Sequence, residues 1–97
     1  MQAMKKVEVI VESVYLNRLL TMFKDNGVKN YTLIQDVEGR GGHGLKPADD
    51  VSEVCSNDYF FTLVDEEQFV ALKENIRAFI KKYGGKCILS DVMVILS

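Results

Sequence analysis

The stretch GRGGHG, which runs from Gly39 to Gly44, separates two segments that each show strand-like apolar patterns. It contains four of the seven glycines of the chain, one arginine and the only histidine, and it opens a polar run that continues to Asn57. Connections longer than about 12–15 residues are uncommon in a compact domain and are usually functional or disordered. We therefore interpret residues 39–57 as a ligand-responsive binding loop and the flanking segments as its scaffold.

Length and composition favour one small domain that spans residues 1–97. The 47% hydrophobic content is sufficient for a core, whereas a net charge of −2 and a pI of about 5.3 argue against non-specific binding to nucleic acid. No apolar run approaches the roughly 20 residues that a membrane-spanning helix needs. The charges within Val7–Glu12 exclude the apolar centre of a signal peptide. We therefore expect a soluble cytoplasmic protein without a membrane-inserted segment.

The segment before the glycine stretch predicts a strand, a helix and a second strand. Val7–Glu12 alternates apolar and charged residues, as expected for a strand with one buried face. Ser13 is a candidate N-cap for the helix that follows. The apolar residues of that helix recur three or four positions apart, at Leu16, Leu19, Leu20 and Phe23. Gly27 ends the helix, because glycine readily adopts the left-handed conformation past a last turn, and Tyr31–Val37 then has the composition of a strand.

The segment after the loop repeats this order. Tyr59–Val64 is aromatic and β-branched, which favours a strand, and the acidic residues 65–67 place negative charge where a helix would begin. The apolar stripe of that helix covers four turns, at Phe69, Leu72, Ile76, Phe79, Ile80 and Tyr83. Gly84-Gly85 ends the helix, and Cys87–Leu96 forms a last strand that is apolar on both faces.

The predicted order strand, helix, strand, strand, helix, strand is that of an α+β, ferredoxin-like βαββαβ sandwich. Such a domain has a four-stranded antiparallel sheet with two helices on one face, and here the long loop joins strands 2 and 3. The helices cover only one face of the sheet. Because the last strand is apolar on both sides, we expect another subunit to cover the second face.

Two glycine-containing turns are candidates for anion binding. Closely spaced glycines let backbone N–H groups approach an anion, and Arg40 adds a guanidinium fork suited to phosphate or carboxylate oxygens. An ordinary flexible hairpin loop explains the same glycines, since the stretch lacks the Gly-Lys-Ser/Thr of a P-loop and no helix follows it directly. The Gly84-Gly85-Lys86 turn is either a helix C-cap with a solvated lysine or a place where Lys86 adds charge to a phosphate site.

The remaining polar residues predict no catalytic or metal centre. His43 has no second histidine and no carboxylate at ligand spacing, whereas a metal site normally needs three or four ligands. Cys55 is a loop thiol that could sense redox state but is interpreted as passive, and Cys87 is interpreted as a core residue. The sequence contains no nucleophile and base at a spacing typical of catalysis. We therefore expect that the protein is not an enzyme.

Taken together, these segments resemble PII-like signalling proteins, and most closely the short members associated with carboxysomes or bicarbonate transport. The resemblance spans essentially the whole chain. It is carried by the order of five segments: Met4–Val11 (MKKVEVIV), Gly27 before Tyr31-Thr32, Val37–Gly41 (VEGRG), Tyr59–Asp65 and Gly85–Ile95. It implies a homotrimer whose sheets pack around a threefold axis, with adenine nucleotides in the clefts between subunits. The 39–57 loop would be the T-loop of the family, which changes conformation with the bound ligand and docks on a target.

The resemblance also implies roles for individual residues. The residues that it places at the nucleotide are, in chain order, Thr32, Gly39, Arg40, Gly41, Leu63, Val64, Gly85 and Lys86. The strand residues among them would lie near the adenine, the glycines at the base of the loop would approach the nucleotide, and the helix-2 turn would lie near phosphate. Bicarbonate, a further ligand expected in the carbon-associated members, would contact Arg40, Gly41 and Gly42.

One departure from the family pattern sets the ligand preference. The longer glycine-rich phosphate loop of typical PII proteins is reduced here to Gly84-Gly85-Lys86, so charge-assisted contacts to a γ-phosphate are scarce. We therefore predict ADP or AMP as the effector in preference to ATP, no prosthetic group, and regulation of a transporter or carboxysome-related protein through the T-loop. Two alternatives remain open, namely a CutA-like trimeric metal-binding protein and a small acylphosphatase-like hydrolase.

Overall fold

The computed structural model of the chain describes residues 1–38 and 56–96. Within these residues, four strands and two α-helices follow one another in the predicted order. Their bounds are β1 Gln2–Glu12, α1 Leu16–Asp25, β2 Thr32–Val37, β3 Asn57–Val64, α2 Glu66–Tyr83 and β4 Lys86–Val94. The strands form one sheet in the order β2-β3-β1-β4, in which every neighbouring pair is antiparallel. The predicted ferredoxin-like fold is confirmed.

The helices and one face of the sheet enclose the hydrophobic core. The alternate β1 residues Val7, Val9 and Val11 are at most 1% exposed, as the period-2 pattern predicts. On β3, the ring of Phe60 lies on the same face, and its centroid is 4.6 Å from that of Phe23 on α1. The predicted apolar stripes of both helices supply most of the other core residues. Removal of these side chains from water holds the helix layer on the sheet.

Local signals end α1 and begin α2 where the sequence predicts. The N–H groups of Gly27 and Val28 each donate a 3.0 Å hydrogen bond to a carbonyl of the last turn of α1, and Gly27 has a φ of +86°. This pair of bonds forms a Schellman motif, which satisfies carbonyls that a helix end leaves unpaired. At the start of α2, the Asp65 carboxylate accepts a 2.7 Å hydrogen bond from the N–H of Gln68.

The structure corrects several strand boundaries and one cap; β4, for example, is Lys86–Val94 and not Cys87–Leu96. β1 begins at Gln2, earlier than predicted, because its first half pairs with β4. β3 begins at Asn57, which pairs with the end of β1, so this residue belongs to the strand and not to the loop. The prediction that Ser13 caps a helix is wrong. Ser13 opens a short 3-10 turn before α1, and its side chain makes no cap hydrogen bond because its hydroxyl oxygen has no partner among the described residues.

The second face of the sheet is covered by neither α1 nor α2 and exposes large apolar side chains. We call it the open face. Ile34, Leu63 and Ile88 are 51%, 36% and 43% exposed. The strand register places Ile34 beside Tyr59 and Ile88 beside Glu8, all on this face. An extended apolar surface of this kind is typical of a face that another protein surface covers.

Candidate functional site

The turn between α2 and β4 carries two of the predicted phosphate contacts, Gly85 and Lys86, and lies against β1. Gly85 has a φ of +101°, and a Cβ on this residue would lie 2.7 Å from the carbonyl oxygen of Ile10. Both features restrict the position to glycine, so the backbone of the turn packs directly on the sheet. Lys86 pairs with Ile10 in the β1–β4 ladder, is exposed, and makes no ion pair with another described residue. The turn therefore places the ammonium group of Lys86, without an ion pair among the described residues, at one end of the sheet.

Of the predicted adenine contacts, Leu63 and Val64 lie toward the other end of β1, opposite Lys6 and Lys5, whereas Thr32 on β2 lies level with Glu8, near the middle of β1. Thr32 pairs with Phe61, and Leu63 follows two positions later on β3, so both side chains belong to the open face. Val64 faces the opposite way and is 1% exposed, as part of the core. Of the three residues, Thr32 and Leu63 therefore present their side chains outward, and Val64 does not.

A cavity of about 200 Å³ lies beside these residues, between the α1–β2 connection and the start of α2. Its lining residues are Gly27, Val28, Lys29, Asn30, Thr62, Leu63, Val64 and Gln68. Thr62 Oγ1 donates a 2.6 Å hydrogen bond to the carbonyl oxygen of Asn30, and Gln68 Nε2 donates one of 3.2 Å to that of Gly27. Ligand cavities usually measure roughly 300–1,000 Å³, so this cavity is large enough for only part of a nucleotide.

The two groups of predicted contacts do not meet within one subunit. Val64 pairs with Lys5 near the start of β1, whereas Lys86 pairs with Ile10 near its end. At about 3.4 Å per residue, five steps separate Val64 from Lys86 by about 17 Å along the strand, and four steps separate Leu63 from Lys86 by about 14 Å. Thr32 is two steps from Lys86 along the strand but three strands away across the sheet.

The other predicted contacts, Gly39, Arg40, Gly41 and the bicarbonate contact Gly42, lie outside the described residues, as do His43 and Cys55. The described residues that flank this segment are Glu38 and Ser56. Because β2 ends and β3 begins where β1 ends and β4 begins, both flanks lie at the same end of the sheet as Gly85. The topology thus brings the two ends of the predicted loop and the α2–β4 turn to one edge of the domain.

A polar cluster interrupts the apolar surface of the open face. Tyr59 donates a 2.5 Å hydrogen bond to Glu8 Oε1, and Lys6 Nζ lies 3.5 Å from the same oxygen and 4.7 Å from the centroid of the Phe61 ring. The hydrogen bond from Tyr59, and secondarily the charge of Lys6, lower the pKa of the Glu8 carboxyl. Burial, and secondarily the bond to Glu8, raise the pKa of Tyr59 to about 12. Near neutral pH, Glu8 is therefore a charged acceptor and Tyr59 a neutral donor.

Sequence patterns alone do not indicate two aspartates at the base of the 39–55 segment. Asp58 is 1% exposed and accepts a 3.1 Å hydrogen bond from the N–H of Asp36. The carboxylate of Asp36 accepts a 2.9 Å hydrogen bond from Ser56 Oγ. Aspartate is depleted in strands, so its presence within both β2 and β3 is the signal that could have drawn attention to these positions.

Two further observations concern metals and membranes. Among residues 1–38 and 56–96, no three His, Cys, Asp or Glu side chains cluster in a way that could hold a metal ion. No helix formed by those residues is long and apolar enough to span a bilayer.

Cys87 is half-buried, and burial raises the pKa of its thiol, as expected for a cysteine that packs against the core.

The sequence model of one protein family, nitrogen regulatory protein P-II, matches residues 4–96. The chain belongs to the P-II family. Proteins of this family are homotrimers that bind adenine nucleotides. The resemblance to PII-like proteins that the sequence motifs indicate is therefore confirmed, whereas no curated protein sequence matches the chain.

Solved structures of CPII and of GlnK share the fold of this one. CPII from Thiomonas intermedia K12, bound to ADP and bicarbonate, has a TM-score of 0.78 and 25% sequence identity, over 96% of this chain and 89% of that one. A second CPII structure, bound to ADP, AMP and bicarbonate, has a TM-score of 0.76 and 26% identity, over 96% of each chain. The GlnK–ATP complex of B. subtilis is more distant, with a TM-score of 0.66 and 18% identity over 93% of this chain and 82% of that one.

Proposed function

We propose that this P-II protein is a non-enzymatic, cytoplasmic signal-transduction protein that binds ADP or AMP between the subunits of a homotrimer. The observation that carries the proposal is its likeness, over 96% of the chain, to CPII bound to ADP and bicarbonate. Bicarbonate is the second ligand of the proposal. The T-loop, which ends before Asn57, then reports the bound ligand to a partner in inorganic-carbon metabolism, either a transporter or a carboxysome-related protein.

The proposed nucleotide site combines groups from two subunits. One subunit contributes the base of its T-loop, with Arg40 between two glycines, together with Gly85 and Lys86. The neighbouring subunit contributes Thr32 from β2 and Leu63 from β3. Leu63 and Lys86 lie about 14 Å apart along β1, and Thr32 on β2 lies three strands, or about 14 Å, across the sheet from Lys86. These separations support the division, because each part of the site then comes from a different copy.

The charge available at the site favours ADP or AMP over ATP. In the turn of residues 84–86, Lys86 is the one cation, and Arg40 is the one cation proposed at the base of the loop. Each additional phosphate needs charge-assisted hydrogen bonds to offset the loss of its hydration. With two cations assigned to the site, the diphosphate and monophosphate are matched better than the triphosphate.

The open face supports the proposed trimer. Three copies whose open faces pack around a common axis would remove Ile34, Leu63 and Ile88 from water, which stabilises the assembly by the hydrophobic effect. The same packing would bring the polar cluster of Glu8 and Tyr59 close to the axis. A paired carboxylate and hydroxyl tolerate such burial far better than unpaired groups do.

Calorimetric titration tests the nucleotide proposal. We expect ADP and AMP to bind with affinities in the micromolar range and ATP to bind more weakly. Arg40→Ala should weaken ADP binding roughly tenfold or more, because it removes a charged donor to phosphate. Arg77→Ala is the matched control, since Arg77 is exposed on α2 and pairs at 3.8 Å with Glu74. Repeating the ADP titration in bicarbonate tests the second ligand.

Other outcomes separate the alternatives. Absence of heat with every adenine nucleotide would overturn the proposed function. Tight copper binding without nucleotide affinity would favour the CutA-like alternative, and turnover of an acyl phosphate would favour a hydrolase. A mass in solution other than that of three chains would contradict the homotrimer.

A further inference from the structure

β2 ends in a strained bulge immediately before the proposed T-loop. Asp36 has a φ of +59°, in the left-handed region that side-chain-bearing residues rarely adopt. Ile34 pairs with Tyr59, but Val37 pairs with Asn57, so β2 contains one more residue than β3 across this interval. Such a bulge bends a strand and re-aims the residues that follow it. Strain of this kind persists only where surrounding contacts hold it in place.

Three hydrogen bonds hold this bulge. The N–H of Asp36 donates to Asp58 Oδ1 at 3.1 Å, and Ser56 Oγ donates to Asp36 Oδ1 at 2.9 Å. The N–H of Ser13 donates to the carbonyl oxygen of Ser56 at 2.8 Å, which fastens the same point to the end of β1. We call Asp36, Ser56 and Asp58 the loop-base latch.

The burial of Asp58 costs free energy that its place in the sheet does not by itself offset. It is 1% exposed, and its Oδ2 has no hydrogen-bond partner among the described residues. Burial of a carboxylate is costly unless donors replace its hydration, and most buried polar atoms in proteins are paired. The hydrogen bond from Asp36 to Oδ1 therefore gives Asp58 a specific role, which is to hold the left-handed residue of the bulge.

The latch joins the two ends of the loop at one point. Asp36 precedes Gly39 by three residues and Arg40 by four, and Ser56 directly follows residue 55. Because the conformation of Asp36 determines the direction in which the backbone leaves β2, it also determines where the chain enters the base of the proposed nucleotide site. The side-chain bond from Ser56 to Asp36 keeps the returning chain in register with the departing one.

We propose that Asp36, Ser56 and Asp58 are positioning residues for nucleotide binding. They contact no ligand, but they fix the direction in which the chain leaves β2 and returns to β3, and so preorganise the two flanks of the proposed T-loop. Preorganisation of this kind increases affinity, since a loop that must be ordered on binding lowers it. The inference rests on the proposed nucleotide function, and it adds three residues that influence affinity without touching the nucleotide.

Three substitutions test the latch by calorimetry with ADP as the probe. Ser56→Ala removes the hydroxyl donor, and Asp36→Gly keeps the left-handed conformation but removes the acceptor. Asp36→Asn is the matched control, because asparagine tolerates positive φ and retains a side-chain oxygen for Ser56. We expect Kd for ADP to rise roughly two- to tenfold in the first two variants and to stay near the wild-type value in the third. Circular dichroism and solution mass should be unchanged in all three.

Each other outcome has a distinct meaning. Wild-type affinity in both Ser56→Ala and Asp36→Gly would overturn the positioning role. If Asp36→Gly fails to fold, Ser56→Ala decides alone, since it removes a single hydroxyl. If the wild-type protein itself binds no ADP, the nucleotide function fails instead. Amide hydrogen exchange at Asp36 then tests the latch separately: faster exchange in Asp58→Ala supports it, and unchanged exchange refutes it.

Discussion

The two faces of the sheet differ in what covers them. On β1, Val9 is 0% exposed beneath the helices, whereas its neighbour Glu8 points to the open face and bonds Tyr59. On β3, Phe60 is likewise 0% exposed, whereas Leu63, on the open face, is 36% exposed. The helices of the same chain cover the first face, whereas none of the described residues covers the open face. The first face stabilises the subunit, and the second is available for the proposed trimer.

The largest expected effect comes from the covered face. Phe60→Ala should lower the free energy of unfolding by about 3–5 kcal/mol, because it leaves a cavity against the ring of Phe23. Urea denaturation at a fixed protein concentration measures the loss. Phe61→Ala is the matched control one position along the strand, and it should cost the subunit much less. Equal losses in the two variants would mean that the faces do not differ in the way described.

The next effect concerns the open face. Ile88→Glu should dissociate the proposed trimer while the subunit stays folded, because a carboxylate buried between subunits without a partner costs several kcal/mol. Sedimentation velocity measures the assembly, and circular dichroism follows the fold. Ile88→Val, which keeps the apolar surface, should remain a trimer. Retention of the trimer by Ile88→Glu would show that this part of the open face is not an interface.

The smallest effect is a pH dependence that arises from the polar cluster of the open face. The pKa of Glu8 is lowered from 4.5, so its contribution to stability is present above that value and is lost as pH falls through the lowered pKa. The pKa of Tyr59 is raised from 10.0 to about 12, so its contribution is complete below pH 10.0 and is lost as pH rises through that interval. In Tyr59→Phe, the loss of stability at alkaline pH should disappear and the loss of stability at acid pH should become smaller.

Melting temperatures across both pH ranges, for wild type and Tyr59→Phe, measure this effect. Phe60→Ala provides the reference, because neither phenylalanine nor alanine titrates. If the loss of stability at alkaline pH persists unchanged in Tyr59→Phe, it arises from a group other than Tyr59.

Short-range signals in the sequence predicted the elements and several of their ends correctly. Gly27 and Asp65 act through hydrogen bonds that span only a few residues, so their roles follow from composition and spacing. Ser13 has the composition of a cap, yet the prediction failed because the chain turns there to pair its N–H with Ser56. Its backbone bond joins residues that are distant in sequence, and no local pattern reports it.

The candidate site was predictable only in part. The sequence pattern singled out Gly85 and Lys86, and the structure adds the reason that Gly85 must be glycine, which is its contact with the Ile10 carbonyl. Val64 was correctly placed at the end of β3 but faces the core, because alternation along the strand directs it toward the helices. Asp36 and Asp58 were missed, since their hydrogen bond joins positions 22 residues apart and depends on a bulge.

The sequence by itself determined the order of the elements, the face on which most strand residues lie, the ends of the helices and the family of the chain. These features depend on periodicity and on contacts between near neighbours in the chain. Only the tertiary structure decided that the candidate contacts of β2 and β3 lie apart from Lys86 in the sheet, that the two ends of the loop meet at Asp36, and that one face of the sheet stays open. Each of these depends on the register between strands that are distant in sequence, and strand register is set by the packing of the whole domain.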